Sequence, residues 1–185
     1  MKKQPAFVIV VGRPNCGKSW AVADILSRYH KLSGGRSHFV VFSNNFPQLP
    51  GKVEQLRPVL DVTRNQNKLA EIYLSRSNCA FVVDDCKQWI KSIHTESSVL
   101  SGIVSEQRLR NNDVFIIAHS WAQVPTWLID RRPTLLIFNH TARGRSNFAD
   151  KLDNPGKFLQ LCDDVNQISS RRKKGSEYYF TSLQI

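Results

Sequence analysis

Gly12-Arg13-Pro14-Asn15-Cys16-Gly17-Lys18-Ser19 decides how the rest of this chain is read. The octet satisfies G-x-x-x-x-G-K-[ST]. It stands between an apolar run, Ala6 to Val11, and a segment with the helical spacing Trp20, Val22, Ile25, Leu26 that extends from Ser19 to Lys31. Strand, glycine loop and helix in that order make a cradle for phosphate. Glycines let backbone N–H groups turn inward, and the helix N-terminus adds its positive dipole end. Lys18 is then placed to reach the β- and γ-phosphates of ATP, and the Ser19 hydroxyl to ligate Mg2+. Gly12 to Ser19, with Trp20 on the first helical turn, are the candidate nucleotide contacts. Cys16 reads as a small loop filler, with a reactive thiol as the alternative.

Downstream, Phe81-Val82-Val83-Asp84-Asp85 is an apolar strand ending in two carboxylates. Asp84 suits the magnesium shell, and Asp85 can orient and deprotonate water as a general base. A strand-end aspartate also serves as a helix cap, and the phosphate loop upstream favours the catalytic use. Val114 to Ala118 is another buried strand, ending at His119-Ser120. In the additional-strand class of P-loop proteins, a strand lies between the phosphate-loop strand and the acidic strand, and a polar side chain at its tip senses the γ-phosphate. His119 and Ser120 hold that position. A structural histidine is the alternative.

Other segments complete an alternating pattern. His38 to Phe42 and Leu135 to Phe138 read as buried strands, and Val59 to Val62 as a short one after a loop from Asn44 to Pro58. Helices are expected over Asn65 to Arg76, within Gln88 to Arg110 with a break near Thr95 to Ser98, and over Lys157 to Ile168. Ser33-Gly34-Gly35 breaks the first helix, and Tyr178-Tyr179-Phe180 is strand-like. Short strands apolar on both faces, alternating with helices, predict an α/β fold with a mostly parallel sheet and helices on both faces. At 185 residues and 41% hydrophobic content the chain fits one domain, residues 1–185.

Lys and Arg number 26 against 15 Asp and Glu, and a net charge of +11 favours a polyanionic partner, nucleic acid first. Cys16, Cys79, Cys86 and Cys162 lack CxxC spacing, which indicates neither zinc nor a disulfide framework and fits a reducing cytosol. Six apolar residues after MKKQP fall short of a signal segment or a membrane span, so the expectation is a soluble, non-secreted protein.

The stretch Arg108 to Pro125, in which arginines precede a buried strand, a polar tip and Val124-Pro125, resembles the corresponding region of FtsK–HerA ATPases. Arg132 to Phe138, with Arg143 and Arg145 beyond, resembles the next strand and its basic follow-on. The similarity runs from about residue 6 to 150, and it departs at Asp85, where the family usually has glutamate, and at the polar strand tip His119-Ser120, which is more often glutamine. Within that superfamily a chain of this length looks most like the genome-packaging ATPases of tailless, internal-membrane viruses and phages.

The resemblance implies a RecA-like (additional-strand) P-loop NTPase that hydrolyses ATP with Mg2+ as a homo-oligomeric ring, a hexamer, threading DNA through its centre. It further implies a host-cytoplasmic or virion-vertex location and a portal or capsid-vertex partner. By position Arg108 or Arg110 fits a trans-acting arginine finger, with Arg143 and Arg145 as runners-up and a solvated helix-end charge as the alternative for each. DNA contacts are expected at Arg143, Arg145 and the run Arg171, Arg172, Lys173 and Lys174, for which a solvated tail is the alternative. A filamentous-phage assembly or conjugation-type ATPase is a rival of the same fold. A small-molecule P-loop kinase is a rival of another class, though no arginine-rich lid insertion is evident.

Overall fold

Residues 6–11 are all apolar, so a strand formed there has to be covered on both faces, and that requirement organises the molecule. The computed structural model describes residues 4–31, 36–89, 99–171 and 179–185. In chain order, β1 (Phe7–Val11) leads through the glycine loop into α1 (Lys18–His30), followed by β2 (His38–Phe42) and β3 (Lys52–Leu56). Then come α2 (Val62–Leu74), β4 (Ala80–Val83), α3 (Cys86–Trp89), α4 (Val99–Arg110) and β5 (Asp113–Ala118). Two 3-10 helices, Trp121–Gln123 and Thr126–Arg131, precede β6 (Thr134–Phe138), α5 (Arg145–Ala149), α6 (Pro155–Arg171) and β7 (Phe180–Gln184).

Among the described residues the seven strands form one sheet in the order β3-β2-β4-β5-β1-β6-β7. Every pairing is parallel except that of β6 with β7. β5 lies between β1 and β4, in register with both: Ile9 sits opposite Ile116, and Val83 opposite the same Ile116. The additional strand expected between the phosphate-loop strand and the acidic strand is therefore present. Because these strands are parallel, the phosphate loop, Asp84 and His119 all emerge at one edge of the sheet.

Alternate residues of β1 enter opposite cores, Ile9 and Val11 on one side and Val8 and Val10 on the other. Leu69 of α2, Trp89 of α3, Ile103 of α4, Phe148 of α5 and Phe158 of α6 fill the first core. On the second face the described helical cover is α1, through Ala21, Val22 and Leu26, with Phe46 and Leu49 from the loop after β2. Each fully buried Val, Ile, Leu or Phe contributes about 1.5–3 kcal/mol, which is why the short strands hold.

Two expectations need correction. The strand lies at Lys52–Leu56, inside the stretch read as loop, and Val59 to Val62 forms none. Lys52-Val-Glu-Gln-Leu pairs only with β2 and leaves Val53 exposed, so an edge strand carried polar residues that hid its pattern. Asp61 accepts hydrogen bonds from the Thr63 and Arg64 amides and caps α2, so Val62 is already helical. The expected breaks at Ser33–Gly35 and Thr95–Ser98, and Tyr178 of the terminal strand, lie outside the described residues.

Candidate nucleotide site

The loop between β1 and α1 can form only because of its glycines. A side chain at Gly12 would place its Cβ 2.5 Å from Phe138 Cβ and 2.7 Å from Cys16 Sγ, and Gly17 has φ 89°. The loop is pinned to β6 by the Arg13 amide, which donates to the Asn139 carbonyl at 2.7 Å. Lys18 is 4% exposed, and its ammonium donates to the carbonyls of Gly12 (2.8 Å) and Arg13 (2.6 Å). Burial pushes that ammonium down from its ordinary pKa, while Cys16, Asp84 and Asp85 oppose the shift. The Cys16 thiol, half-buried and 3.9 Å from Lys18 Nζ, is pushed up by burial, as an inert loop filler would be.

Lys18 Nζ also lies 3.3 Å from His119 Nδ1. A lysine can only donate, so that nitrogen accepts and the proton of neutral His119 sits on Nε2. Nε2 faces Asp85 Oδ2 at 3.7 Å, and this contact, with Gln88, holds the Asp85 carboxyl below its usual range against the opposing effect of burial. The His119 amide donates to Gln123 Oε1 at 2.8 Å, which fixes the strand tip. Asp85 itself has φ 48°, in the left-handed region a non-glycine residue rarely occupies.

Asp84 is held differently. Its Oδ2 accepts from Ser19 Oγ at 3.2 Å and from Ser43 Oγ at 2.8 Å. Among the described residues no group of three or more His, Cys, Asp or Glu side chains forms a metal cage. A hydroxyl and a carboxylate in contact beside a phosphate loop are the donors that magnesium takes when waters and phosphate oxygens complete its shell. Lys18, Ser19, Ser43, Asp84, Asp85, Gln88 and His119 line a single cleft of about 500 Å³, together with Pro14, Asn15, Gly17 and Trp20. Trp20 is 67% exposed there.

Ser43 and Gln88 escaped the sequence reading. Gln88 Nε2 donates to Asp85 Oδ2 at 2.7 Å, and its Oε1 accepts from Asn44 Nδ2 at 3.1 Å, which fixes the amide's orientation. Consecutive residues after β2 thus reach both acids, Ser43 directly and Asn44 through Gln88. A signal for Ser43 was present: the first residue beyond β1, β2, β4 and β5, namely Gly12, Ser43, Asp84 and His119, faces this cleft or closes its loop.

The remaining candidates are dispersed. Ser120 opens a 3-10 turn and is not among the residues lining the cleft. Arg108 and Arg110 end α4, at the sheet edge opposite the phosphate loop, about 17 Å away by the length of a five-residue strand. Arg110 is bound to Glu106 and to the Leu74 carbonyl, whereas Arg108 is exposed. Arg143 is exposed on the nucleotide edge, in the turn before α5, and Arg145 pairs there with Asp163. Arg171 is exposed at the end of α6; Arg172, Lys173 and Lys174 lie outside the described residues.

No protein-family model and no curated sequence matches the chain. Solved structures match its fold. The genome packaging NTPase B204 of Sulfolobus turreted icosahedral virus 2 in complex with ATP-gammaS aligns with TM-score 0.65 at 12% identity, over 97% of this chain and 92% of that one. B204 from Sulfolobus turreted icosahedral virus, described as a DNA-packaging ATPase, aligns with TM-score 0.61 at 9% identity, over 97% and 98%. The ATPase DotB of Legionella pneumophila aligns with TM-score 0.50 at 12% identity, over 89% of this chain and 53% of that one. The chain therefore has a P-loop NTPase fold, shared along nearly its whole length with viral genome-packaging NTPases.

Proposed function

We propose that this chain is a magnesium-dependent ATPase that assembles into a ring and translocates DNA to load a viral genome. The observation that carries the proposal is the meeting of Lys18, Ser19, Asp84, Asp85 and His119 in one cleft on an additional-strand sheet. Likeness of fold to packaging NTPases supports the packaging role, and the +11 charge supports a polyanionic partner. No described helix is long and apolar enough to cross a membrane.

In this reading Lys18 offsets charge on the transferred phosphoryl group. Ser19 and Asp84 would hold a magnesium ion, which would supply charge neutralisation for the nucleotide's phosphates. Asp85 accepts the water's proton. Its contact with His119 keeps it ionised but makes it a weaker base, which suits a loose transition state that needs little help from the nucleophile. Arg108 and Arg110 are too far from their own cleft to serve it, so either acts on another subunit's nucleotide or on none; Arg143 and Arg145 lie nearer.

Ser43 and Gln88 position the two acids, and their loss separates two quantities. Gln88→Ala is expected to lower kcat by about 10- to 100-fold with nucleotide affinity unchanged. Ser43→Ala is expected instead to raise the magnesium concentration for half-maximal rate, with kcat at saturating magnesium preserved. Titrating magnesium against rate for both variants checks this; identical behaviour would reduce both residues to packing. Translocation itself is tested with a triplex-forming strand annealed to duplex DNA. An assembled ring should displace that strand with ATP and not with ADP. A ring that hydrolyses ATP yet leaves the triplex in place would end the translocase part of the proposal.

A further inference from the structure

The opposite edge of the sheet carries a second cleft, apart from this chain's own nucleotide site. It occupies about 600 Å³ between the last turn of α4, the 3-10 helix Thr126–Arg131 and the starts of β1 and β6, and Arg108, Arg131 and Arg132 line it. Other arginines on this edge are consumed by acids: Arg36 by Asp113 at 2.8 Å, Arg76 by Glu54 at 3.2 Å, and Arg110 by Glu106. The side chains of Arg108, Arg131 and Arg132 make no hydrogen bond or ion pair with a described residue, and all three residues are exposed. One carboxylate, Asp130, shares the lining with them. Three guanidinium groups around one acid leave a net positive cleft that an anion would relieve.

The backbone shows that an arginine is held here against local preference. Arg132 has φ 49° and ψ 58°, a left-handed conformation in which its amide donates to the Ile129 carbonyl at 2.8 Å. Glycine or asparagine adopts that conformation more easily, and Pro133 directly after it disfavours it further. Strain of this kind persists where the surrounding structure enforces it and is enriched at ligand contacts.

The cleft does not end as a pocket. A neighbouring hollow of about 500 Å³ shares Asp130, Arg132 and Gln184 with it and adds Lys151 and Lys157, against Asp153. Cationic side chains spaced along an edge fit successive phosphates of a strand better than one terminal phosphate. Guanidinium forks match phosphate oxygens bidentately, and lysines serve as point charges to the same backbone.

We propose that this groove, from Arg108 through Arg131 and Arg132 to Lys151 and Lys157, binds the phosphodiester backbone of nucleic acid without reading sequence. It rests on the translocase proposal for the presence of DNA as a partner and adds a second basic surface, apart from the Arg143 turn on the nucleotide edge.

The test compares the wild type with Arg131→Gln/Arg132→Asn, because asparagine suits the left-handed site and a folding defect is not expected. Binding of a fluorescently labelled random-sequence duplex is measured by anisotropy across salt concentrations, without ATP, and DNA-free ATPase is measured in parallel. The expected result is at least a tenfold weaker affinity, a salt slope shallower by about two, and an unchanged DNA-free ATPase. Equal affinity and slope for variant and wild type would overturn the groove while leaving the translocase proposal standing. A wild type that binds no duplex would overturn both. Unchanged DNA binding with an ATPase lost and then restored by mixing with Lys18→Ala subunits would assign these arginines to a neighbour's nucleotide and overturn the groove as well.

Discussion

Lys18→Ala is expected to lower ATP hydrolysis by about 100- to 1,000-fold, the loss seen when one preorganised donor to transition-state charge is removed. The fold should persist. The Lys18 ammonium bonds only within its own loop and to His119, and burial already works against its charge, so the sheet and both cores lose little. Nucleotide affinity should weaken as well, because the lysine meets the phosphates of the ground state as well as those of the transition state. Steady-state phosphate release and a circular dichroism spectrum check the two halves of the expectation. A variant that hydrolyses at the wild-type rate would sever the phosphate loop from the chemistry.

Asp85→Asn should have a comparable effect through another route. Asparagine keeps the shape and the contact with Gln88 but cannot take a proton, so kcat is expected to fall by about 100- to 10,000-fold with ATP still bound. Asp84→Asn, one residue earlier, should instead raise the magnesium requirement, since Asp84 sits among the hydroxyls of Ser19 and Ser43 and not beside His119. The contrast is read by trapping radiolabelled ATP on each variant over a magnesium series. Full activity in Asp85→Asn would move the base to another residue.

What the sequence made legible follows from burial on both faces. Ala80–Val83, Val114 to Ala118 and Leu135 to Phe138 are continuous apolar runs because helices or loops cover each side, and their positions read directly from the residues; the latter two strands start one residue earlier, at Asp113 and Thr134. Lys52–Leu56 was not legible, because an edge strand paired on one side needs no such run. Asp84, Asp85 and His119 announce themselves as polar residues at the ends of apolar strands. Gln88 does not, since its part in the site depends on the left-handed turn at Asp85 that brings it back onto the carboxylate. The cleft around Arg131 and Arg132 was equally hidden. Arginines near a proline look like an ordinary basic turn until the fold sets them beside Arg108, which is distant in sequence.

The most direct test of the ATPase-translocase proposal is the hydrolysis rate of the assembled protein as a function of duplex DNA concentration, at a low and a high salt level. Coupling of strand engagement to hydrolysis predicts a rate that rises with DNA and loses its stimulation as salt weakens phosphate contacts. An assembled ring whose rate is indifferent to DNA, yet rises with a small acceptor molecule, would contradict it.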